Sequence, residues 1–405
     1  MNKIAALTIC SFNYISKALV LINSYKKLHP EHLFTLLIVD KKRVSKTLLD
    51  LDLNVIWVED LLVQDFNKYA FTFDIIEFNT NVKPMAIKHL LEKNDKVIYL
   101  DPDIQLFSPI DFVLNELDNS SILITPHSVT PILDGCKPDD SDLLRFGAYN
   151  LGFIAVSRCE ETILFLNWWS ERCLKLGFYE PQIGLAVDQK WIDLAPSFFP
   201  NLKILHNPGL NVAFWNLHER FLSKVNEQWF VNEKFPLIFF HFSSFNPENI
   251  ENIAYKQTRY NKGDRKDFNQ IAIEYSNNLQ KFEYPEFHNQ KYAFDYFDDG
   301  VYITPVVRRF YSILNDEMFK NINPFESNTI FRKFAIKNRL INTKILSEPK
   351  RETFKDLGQY KNQEKVLIFG LKLFLYIVGP LKYYSLMRYL PHISSIRNQK
   401  KLVSR

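Results

Sequence analysis

Short apolar runs alternate with stretches of helical periodicity from the start of the chain to about its middle. Lys3–Ile9 reads as a strand, and Ile15–His29 as a helix with Ala18, Ile22 and Tyr25 on one side and Pro30 just past its end. Phe34–Val39, closing at Asp40, and Asn54–Val58 are further apolar strands. A helix opens near Pro84, a residue suited to a first helical position, with Ala86, Leu90 and Leu91 on its apolar side. It leads into the apolar run Val97–Leu100. Ile122–Thr125, stopped by Pro126, Asn150–Val156 and Leu237–Phe240 complete the strand set. Thr130–Asp142 has the Pro, Gly and Asp clustering of a loop, and Ser157–Glu160 fits a capping box opening a helix through Leu174. Strands alternating with helices predict βαβ units, hence an α/β fold with a largely parallel sheet.

Beyond Asn246 the alternation stops. Tyr255–Lys281 is polar and predicted helical, and Phe282–Gly300 is rich in Tyr, Phe and Asp. The change in texture places a boundary near Pro247. The expected organisation is an α/β domain over 1–246, a mainly helical accessory region over 247–340, a polar linker over 341–362 and a helical tail over 363–405. Val366–Val378 is the most apolar stretch, but it is short of the ~20 residues needed to span a bilayer and is interrupted by Lys372.

Charge sharpens the reading of that tail. The 405 residues carry a net charge of +4, yet Lys361–Arg405 holds nine basic residues against the single acid Glu364. A basic amphipathic helix suits the surface of an anionic membrane. Positive charge gathered in a tail, and not across a folded face, argues against nucleic-acid binding. Gly is scarce at 11 residues, and no Gly-rich phosphate loop is present. Cys10, Cys136, Cys159 and Cys173 show no C-x-x-C spacing, so neither a zinc ribbon nor a disulfide framework is suggested. Ile4–Ile9 is too short for a secretory apolar region. The expectation is a cytoplasmic protein, with the tail either peripheral at the inner membrane face or docked on the protein's own core or on a partner.

The candidate chemistry centres on Lys96–Phe107, KVIYLDPDIQLF, where an apolar strand ends in Asp101-Pro102-Asp103. In open α/β sheets ligands gather beyond the carboxyl ends of strands. Two acids one residue apart there fit a divalent cation, since hard cations take oxygen ligands. They fit equally a turn-capping Asp beside a solvated one. These dozen residues leave both readings open.

The order of features along the chain adds what the dozen residues lack. Thr8, Asn13-Tyr14, Lys83 opening a helix, Asp-x-Asp at 101–103, Asn150-Leu151-Gly152, Asp188-Gln189 and His241-Phe242 follow one another. Together they resemble a nucleotide-diphospho-sugar glycosyltransferase of the GT-A fold, in the glycogenin-like and bacterial lipopolysaccharide glycosyltransferase group. The resemblance spans 1–245. It implies a Rossmann-like, mostly parallel sheet flanked by helices, and transfer of a sugar from a nucleotide-diphosphate donor, with a UDP-sugar first in line, to a hydroxyl of a surface glycan or lipid-linked saccharide. It further implies Mn²⁺ or Mg²⁺ held by Asp101, Asp103 and His241. Thr8, Asn13, Tyr14, Lys83, Asp101, Asn150 and Gly152 would line the donor, and Asp188 and Gln189 would stand near the transferred sugar and the acceptor.

Two departures stand out. The group follows its His with a G-x-x-K-P-W run that grips the diphosphate, whereas here the stretch is HFSSFNPEN. Lys256, Arg259 or Arg265 of the next segment would then supply that charge. The region of Trp191, Trp215, His218 and Arg220, a candidate acceptor end, has no secure match, and retention or inversion is left open. Two other function classes fit parts of the pattern. A haloacid-dehalogenase-type phosphatase would use Asp101 as nucleophile and Asp103 as general acid, with Asp139-Asp140 or Asp298-Asp299 holding Mg²⁺. A non-catalytic glycan-binding protein would retain the fold alone.

Overall fold

A computed structural model describes residues 3–43, 45, 47–48, 53–62, 64–341 and 361–403. The linker expected over 341–362 falls almost wholly outside the described residues. Two compact units emerge, one of residues 1–69 and 75–293, the other of 70–74 and 294–405.

The first unit is built on a seven-stranded sheet. Its strands include β1 (Ile4–Cys10), β2 (Leu33–Ile38), β3 (Asn54–Trp57), β4 (Lys96–Leu100), β6 (Ile122–Pro126) and β7 (Tyr149–Ser157). The short β5 (Ile104–Leu106) lies outside this sheet. The spatial order is 202–204, β6, β7, β4, β1, β2, β3. All neighbours are parallel except β7, which runs antiparallel to both β4 and β6. Helices cover both faces, as the resemblance implied for a mostly parallel sheet. Ala6 and Cys10 pack with Ile15, Ala18 and Ile22 of the helix Ile15–Leu28. Ala5, Leu7 and Ile9 point the other way by strand alternation and are equally buried. A sheet covered on both faces accounts for near-continuous apolar runs where a one-sided sheet would alternate.

Two local expectations are revised. Ser157 is the last residue of β7, so it cannot cap the next helix; Glu160–Leu176 follows Cys159 with no side-chain cap. The capping box lies instead in the segment read as a loop. The Asp139 carboxylate accepts from Ser141 and Asp142 N–H, the Asp142 side chain accepts from Asp139 N–H, and a helix runs over Asp140–Phe146.

The compact units divide at Ala293–Phe294 and not near Pro247. The helix Lys266–Lys281 presents Phe268, Ile271, Ala272, Tyr275 and Leu279 at helical spacing, and these join one apolar cluster with Val212, Phe240 and Phe242. Its polar face hid that commitment in the sequence. The second unit is mainly helical, as expected for the C-terminal region, with helices at Pro305–Met318, Ile330–Lys337, Lys361–Val378 and Pro380–Ser394. There the buried Arg308 guanidinium donates to the carbonyls of Ala70, Phe71, Phe73 and Phe294 and pairs with Asp295 at 2.8 Å.

Candidate functional site

The carboxyl end of β4 is where the candidate residues meet. β4 stops at Leu100, and the chain turns through Asp101–Asp103, with Ile104 N–H donating to Asp101 O at 3.1 Å, into β5. β5 pairs antiparallel with Phe239–His241, and the register sets His241 opposite Ile104. This small ladder brings the histidine to the acids. Its Nε2 lies 3.0 Å from Asp103 Oδ1 and 3.6 Å from Asp101 Oδ2. One ligand atom from each of the three residues falls within 4.8 Å of the others.

Burial works against the Asp103 carboxylate, but the His241 imidazole outweighs it and holds the group at about 2. Burial likewise opposes a charge on His241, and the facing Asp103 and Asp101 carboxylates more than offset it, so its pKa is raised. The donor set of two carboxylates and an imidazole suits Mn²⁺ or Mg²⁺ in its oxygens and a borderline ion such as Mn²⁺ in its nitrogen.

The tautomer of His241 follows from a chain of obligate donors. Gly152 N–H, a backbone donor, reaches Asn150 Oδ1 at 3.0 Å, which fixes that atom as the oxygen. Asn211 turns its other amide end to the same oxygen at 3.0 Å, so that end is the NH₂, which also donates to Thr125 Oγ1 at 2.9 Å. Asn211 Oδ1 is then the acceptor for His241 Nδ1–H at 3.3 Å. When the ring gives up one proton it keeps the one on Nδ1, so Nε2 is the nitrogen that would be free to ligate a cation beside the carboxylates. Asn211 is fully buried and has a φ of +51°, a left-handed conformation that Asn adopts more readily than most residues.

Gly152 has a definite steric reason. A Cβ there would lie 2.4 Å from His241 Cε1 and 2.8 Å from Asn150 Oδ1, so only glycine lets the histidine occupy this place. The close approach is to a side chain of the protein itself.

Lys83 opens the helix Lys83–Leu91 and is buried. Its Nζ donates to Asp188 Oδ2 at 2.7 Å and to Leu151 O at 2.8 Å, and stands 4.0 Å from Asp101 Oδ1. Burial raises the Asp188 pKa, against the pull of Lys83. Gln189 accepts from Leu151 N–H and donates to Phe146 O, both at 3.1 Å. Lys83, Asp188 and Gln189 therefore clamp the Leu151 peptide on both sides. Tyr99 O–H donates to Asp101 at 2.5 Å.

Of the remaining expected residues, Thr8, Asn13 and Tyr14 belong to the neighbouring strand β1 and the turn after it. Thr8 lies inside β1, fully buried, with no hydrogen-bond partner for its hydroxyl, and not in the loop beyond the strand. Asn13 and Tyr14 form that loop, a turn over Phe12–Tyr14 in which Ser11 Oγ donates to Asn13 Oδ1 at 2.6 Å. Trp215 packs edge-on against His241, ring centroids 5.1 Å apart. Arg220 is buried on the carbonyls of Pro208 and Leu210. His218 is near Ser128 Oγ at 3.3 Å. Arg259 binds Asp134, and Arg265 binds Asp267 at 2.6 Å, so both cations are engaged.

No protein-family profile matches the chain. Two proteins of Bacillus subtilis (strain 168) are similar in sequence, both described only as uncharacterized. YfnF is 26% identical over 253 residues, 61% of this chain and 83% of YfnF. YfnD is 25% identical over 174 residues, 42% of this chain and 54% of YfnD. Among solved structures, the galactosyltransferase LgtC, in complex with donor and acceptor sugar analogues, aligns at a TM-score of 0.42 with 13% identity, over 69% of this chain and 95% of its own. The bifunctional glycosyltransferase WbbM aligns at 0.42 with 15% identity, over 70% of this chain and 51% of its own. Mouse xyloside xylosyltransferase 1 aligns at 0.37 with 14% identity, over 60% and 98%.

Sequence reasoning missed Asn211 and His127. Asn150 Nδ2 donates to His127 Nε2 at 3.2 Å, and burial pushes the His127 pKa down to about 4, which keeps the ring neutral. Neither residue sits in a motif, so only their place in the hydrogen-bond chain identifies them. A second group, His29, Glu31 and His32, has ligand-like spacing. However, the Ile110 backbone N–H donates to His29 Nε2 at 2.9 Å, which leaves the ring proton on Nδ1 and removes that nitrogen as a ligand.

Proposed function

We propose that this protein is a metal-dependent glycosyltransferase that moves a sugar, as a hexosyltransferase does, from a nucleotide-diphosphate donor to a hydroxyl of a surface glycan or lipid-linked saccharide. A UDP-sugar is the first donor to test. The observation that carries the reading is the convergence of Asp101, Asp103 and a tautomer-fixed His241 at the carboxyl end of β4. Those three residues would hold Mn²⁺ or Mg²⁺, and a cation bound there stabilises negative charge on a departing diphosphate. The loop Ser11–Tyr14 follows the carboxyl end of β1, the strand beside β4, and offers Tyr14 as a face for the base. Lys83 and Asp188 hold the strand 150–152 in place, and Asp188 sets a buried negative charge near the sugar, suited to positive charge at the anomeric carbon.

The phosphatase alternative fits less well. It needs Asp103 as a general acid, whereas His241 keeps this carboxyl ionised at neutral pH. Asp139 is committed to a helix cap. Thermal shift with UDP-, GDP- and CDP-sugars, each with and without Mn²⁺, tests the proposal. One donor is expected to stabilise the protein only when Mn²⁺ is present, by about 2.7 kcal/mol at a hundredfold excess over its dissociation constant. Turnover of p-nitrophenyl phosphate, with no response to any nucleotide sugar, would sink the proposal.

The tail of the second unit supports a location. No helix among the described residues is long and apolar enough to cross a membrane. Yet Phe369, Tyr376 and Leu381 are 69%, 88% and 84% exposed, among the basic residues Lys365, Lys372 and Lys382. Apolar side chains interleaved with cations suit an anionic lipid surface, where lipid-linked acceptors reside. The full chain is expected to sediment with vesicles containing phosphatidylglycerol and not with phosphatidylcholine alone. The variant Leu367→Ser/Phe369→Ser/Leu381→Ser should stay in the supernatant. Equal sedimentation of the two proteins would remove the tail as the attachment.

A further inference from the structure

A cation stands beside the site that no expectation named. Lys17 lies in the first turn of the helix Ile15–Leu28 and is 6% exposed. Its Nζ sits 4.1 Å from the centre of the Tyr14 ring. Among the described residues no carboxylate lies within ion-pair distance of it. A buried ammonium without an anion is costly, so such groups are normally paired.

The packing of its helix fixes where Lys17 lies. Leu106 N–H donates to Ser24 Oγ at 3.1 Å, which ties the helix to the end of β5. Lys17 precedes Ser24 by two helical turns on the same face, about 10 Å along the axis. Asp103 precedes Leu106 by three residues, about 10 Å along an extended chain. A second tie, from Ile110 N–H to His29 Nε2, shows that the helix and the chain through β5 run the same way, so Lys17 lies towards the Asp103 end, beside the Ser11–Tyr14 loop. Charge agrees: burial acts to lower its pKa, but Tyr14, Asp103 and Tyr284 raise it, so the side chain stays protonated. Tyr275, stacked 3.8 Å on Phe242 beside His241, carries a buried hydroxyl with no hydrogen-bond partner.

A protonated amine lacking an anion, a hydroxyl lacking an acceptor and a carboxylate–imidazole cluster thus converge between the helix and β5. We infer that Lys17 is the cation that binds the diphosphate of the nucleotide donor, opposite the ligands Asp101, Asp103 and His241. This inference rests on the donor reading above and assigns it a residue. Tyr14 is half-buried and its ring lies against the Lys17 amine, so a nucleotide stacked on the open part of that ring would bring its diphosphate near the amine. The sequence HFSSFNPEN supplies no lysine after His241; of the three cations that follow, Arg259 and Arg265 are engaged elsewhere and Lys256 is exposed, near the Tyr255 ring.

The test compares wild type with Lys17→Met and Lys17→Gln by calorimetry, using UDP, GDP and inorganic pyrophosphate with Mn²⁺, and Mn²⁺ alone by electron paramagnetic resonance. Both variants are expected to bind the diphosphates about 10- to 100-fold more weakly, the worth of a hydrogen bond to a charged group. Affinity for Mn²⁺ alone should stay within about twofold, because the amine is not a ligand. Variants that bind diphosphates as wild type does, or that lose Mn²⁺ alone to the same degree, would overturn the assignment. So would failure of both variants to fold, since it would make the amine a structural group. A wild-type protein that binds Mn²⁺ but none of the diphosphates would overturn the donor reading itself.

Discussion

Asp103→Ala is expected to bind Mn²⁺ at least about 100-fold more weakly than wild type and to transfer sugar about 1,000-fold more slowly. The estimate follows from the several kcal/mol that a Lewis acid supplies and from tenfold in rate per ~1.4 kcal/mol. Asp103 is buried and makes the shortest contact with His241 Nε2, at 3.0 Å, so it is the anchor of the cluster. Asp101 is more open, its side chain 28% exposed, and its removal should cost less. Electron paramagnetic resonance titration of Mn²⁺ and transfer of a labelled sugar at saturating donor check the two numbers. Wild-type transfer by Asp103→Ala after exhaustive EDTA treatment would exclude a metal role.

Lys83→Met is the change expected to damage stability most. The Lys83–Asp188 pair has both side chains 2% exposed and a 2.7 Å contact. Removing the amine leaves a buried carboxylate uncompensated, which typically costs about 3–5 kcal/mol. The loss should depend on pH. Burial already raises the Asp188 pKa in the folded state, and without Lys83 the main opposing influence is gone. A carboxyl whose folded pKa exceeds its unfolded value binds more protons when folded, so its contribution is present at low pH and fades as pH rises through the folded pKa. The deficit of Lys83→Met should therefore shrink as pH falls from neutral towards the unfolded carboxyl range. Urea denaturation of the metal-free protein across that range measures it, and the double variant Lys83→Met/Asp188→Leu should recover most of the loss at neutral pH. A deficit independent of pH would mean that lost packing, and not the stranded charge, is responsible.

The strands were legible because each is an apolar run bounded by turn residues. Ile4–Cys10, Leu33–Ile38 and Lys96–Leu100 fall within a residue or so of their expected bounds. The helix Lys266–Lys281 was legible as a helix and not as part of the first unit, because its polar face dominates the local composition while five spaced apolar residues do the packing. The Ser157–Glu160 capping box failed for a similar reason. Strand pairing of β7 with β4 and β6 runs through to the end of the strand and outbids a local side-chain bond.

The site divides along the same line. By itself the sequence determined the residue types and their order: two acids after an apolar strand, a glycine two residues past an asparagine, a histidine closing a late strand. Those properties are local, since each is set by neighbours within a few positions. Only the tertiary structure decided which of them act on one another. The β5 ladder brings His241 to Asp103, Asn211 fixes its tautomer, and Gly152 is needed for the bulk of the imidazole. Lys83 turns from solvent to a buried partner, Asp188, and the helix after β1, tied at Ser24 and His29, carries Lys17 towards the Asp103 end of β5. Distances and hydrogen-bond direction are properties of pairs far apart in the chain, and no spacing in the sequence encodes them.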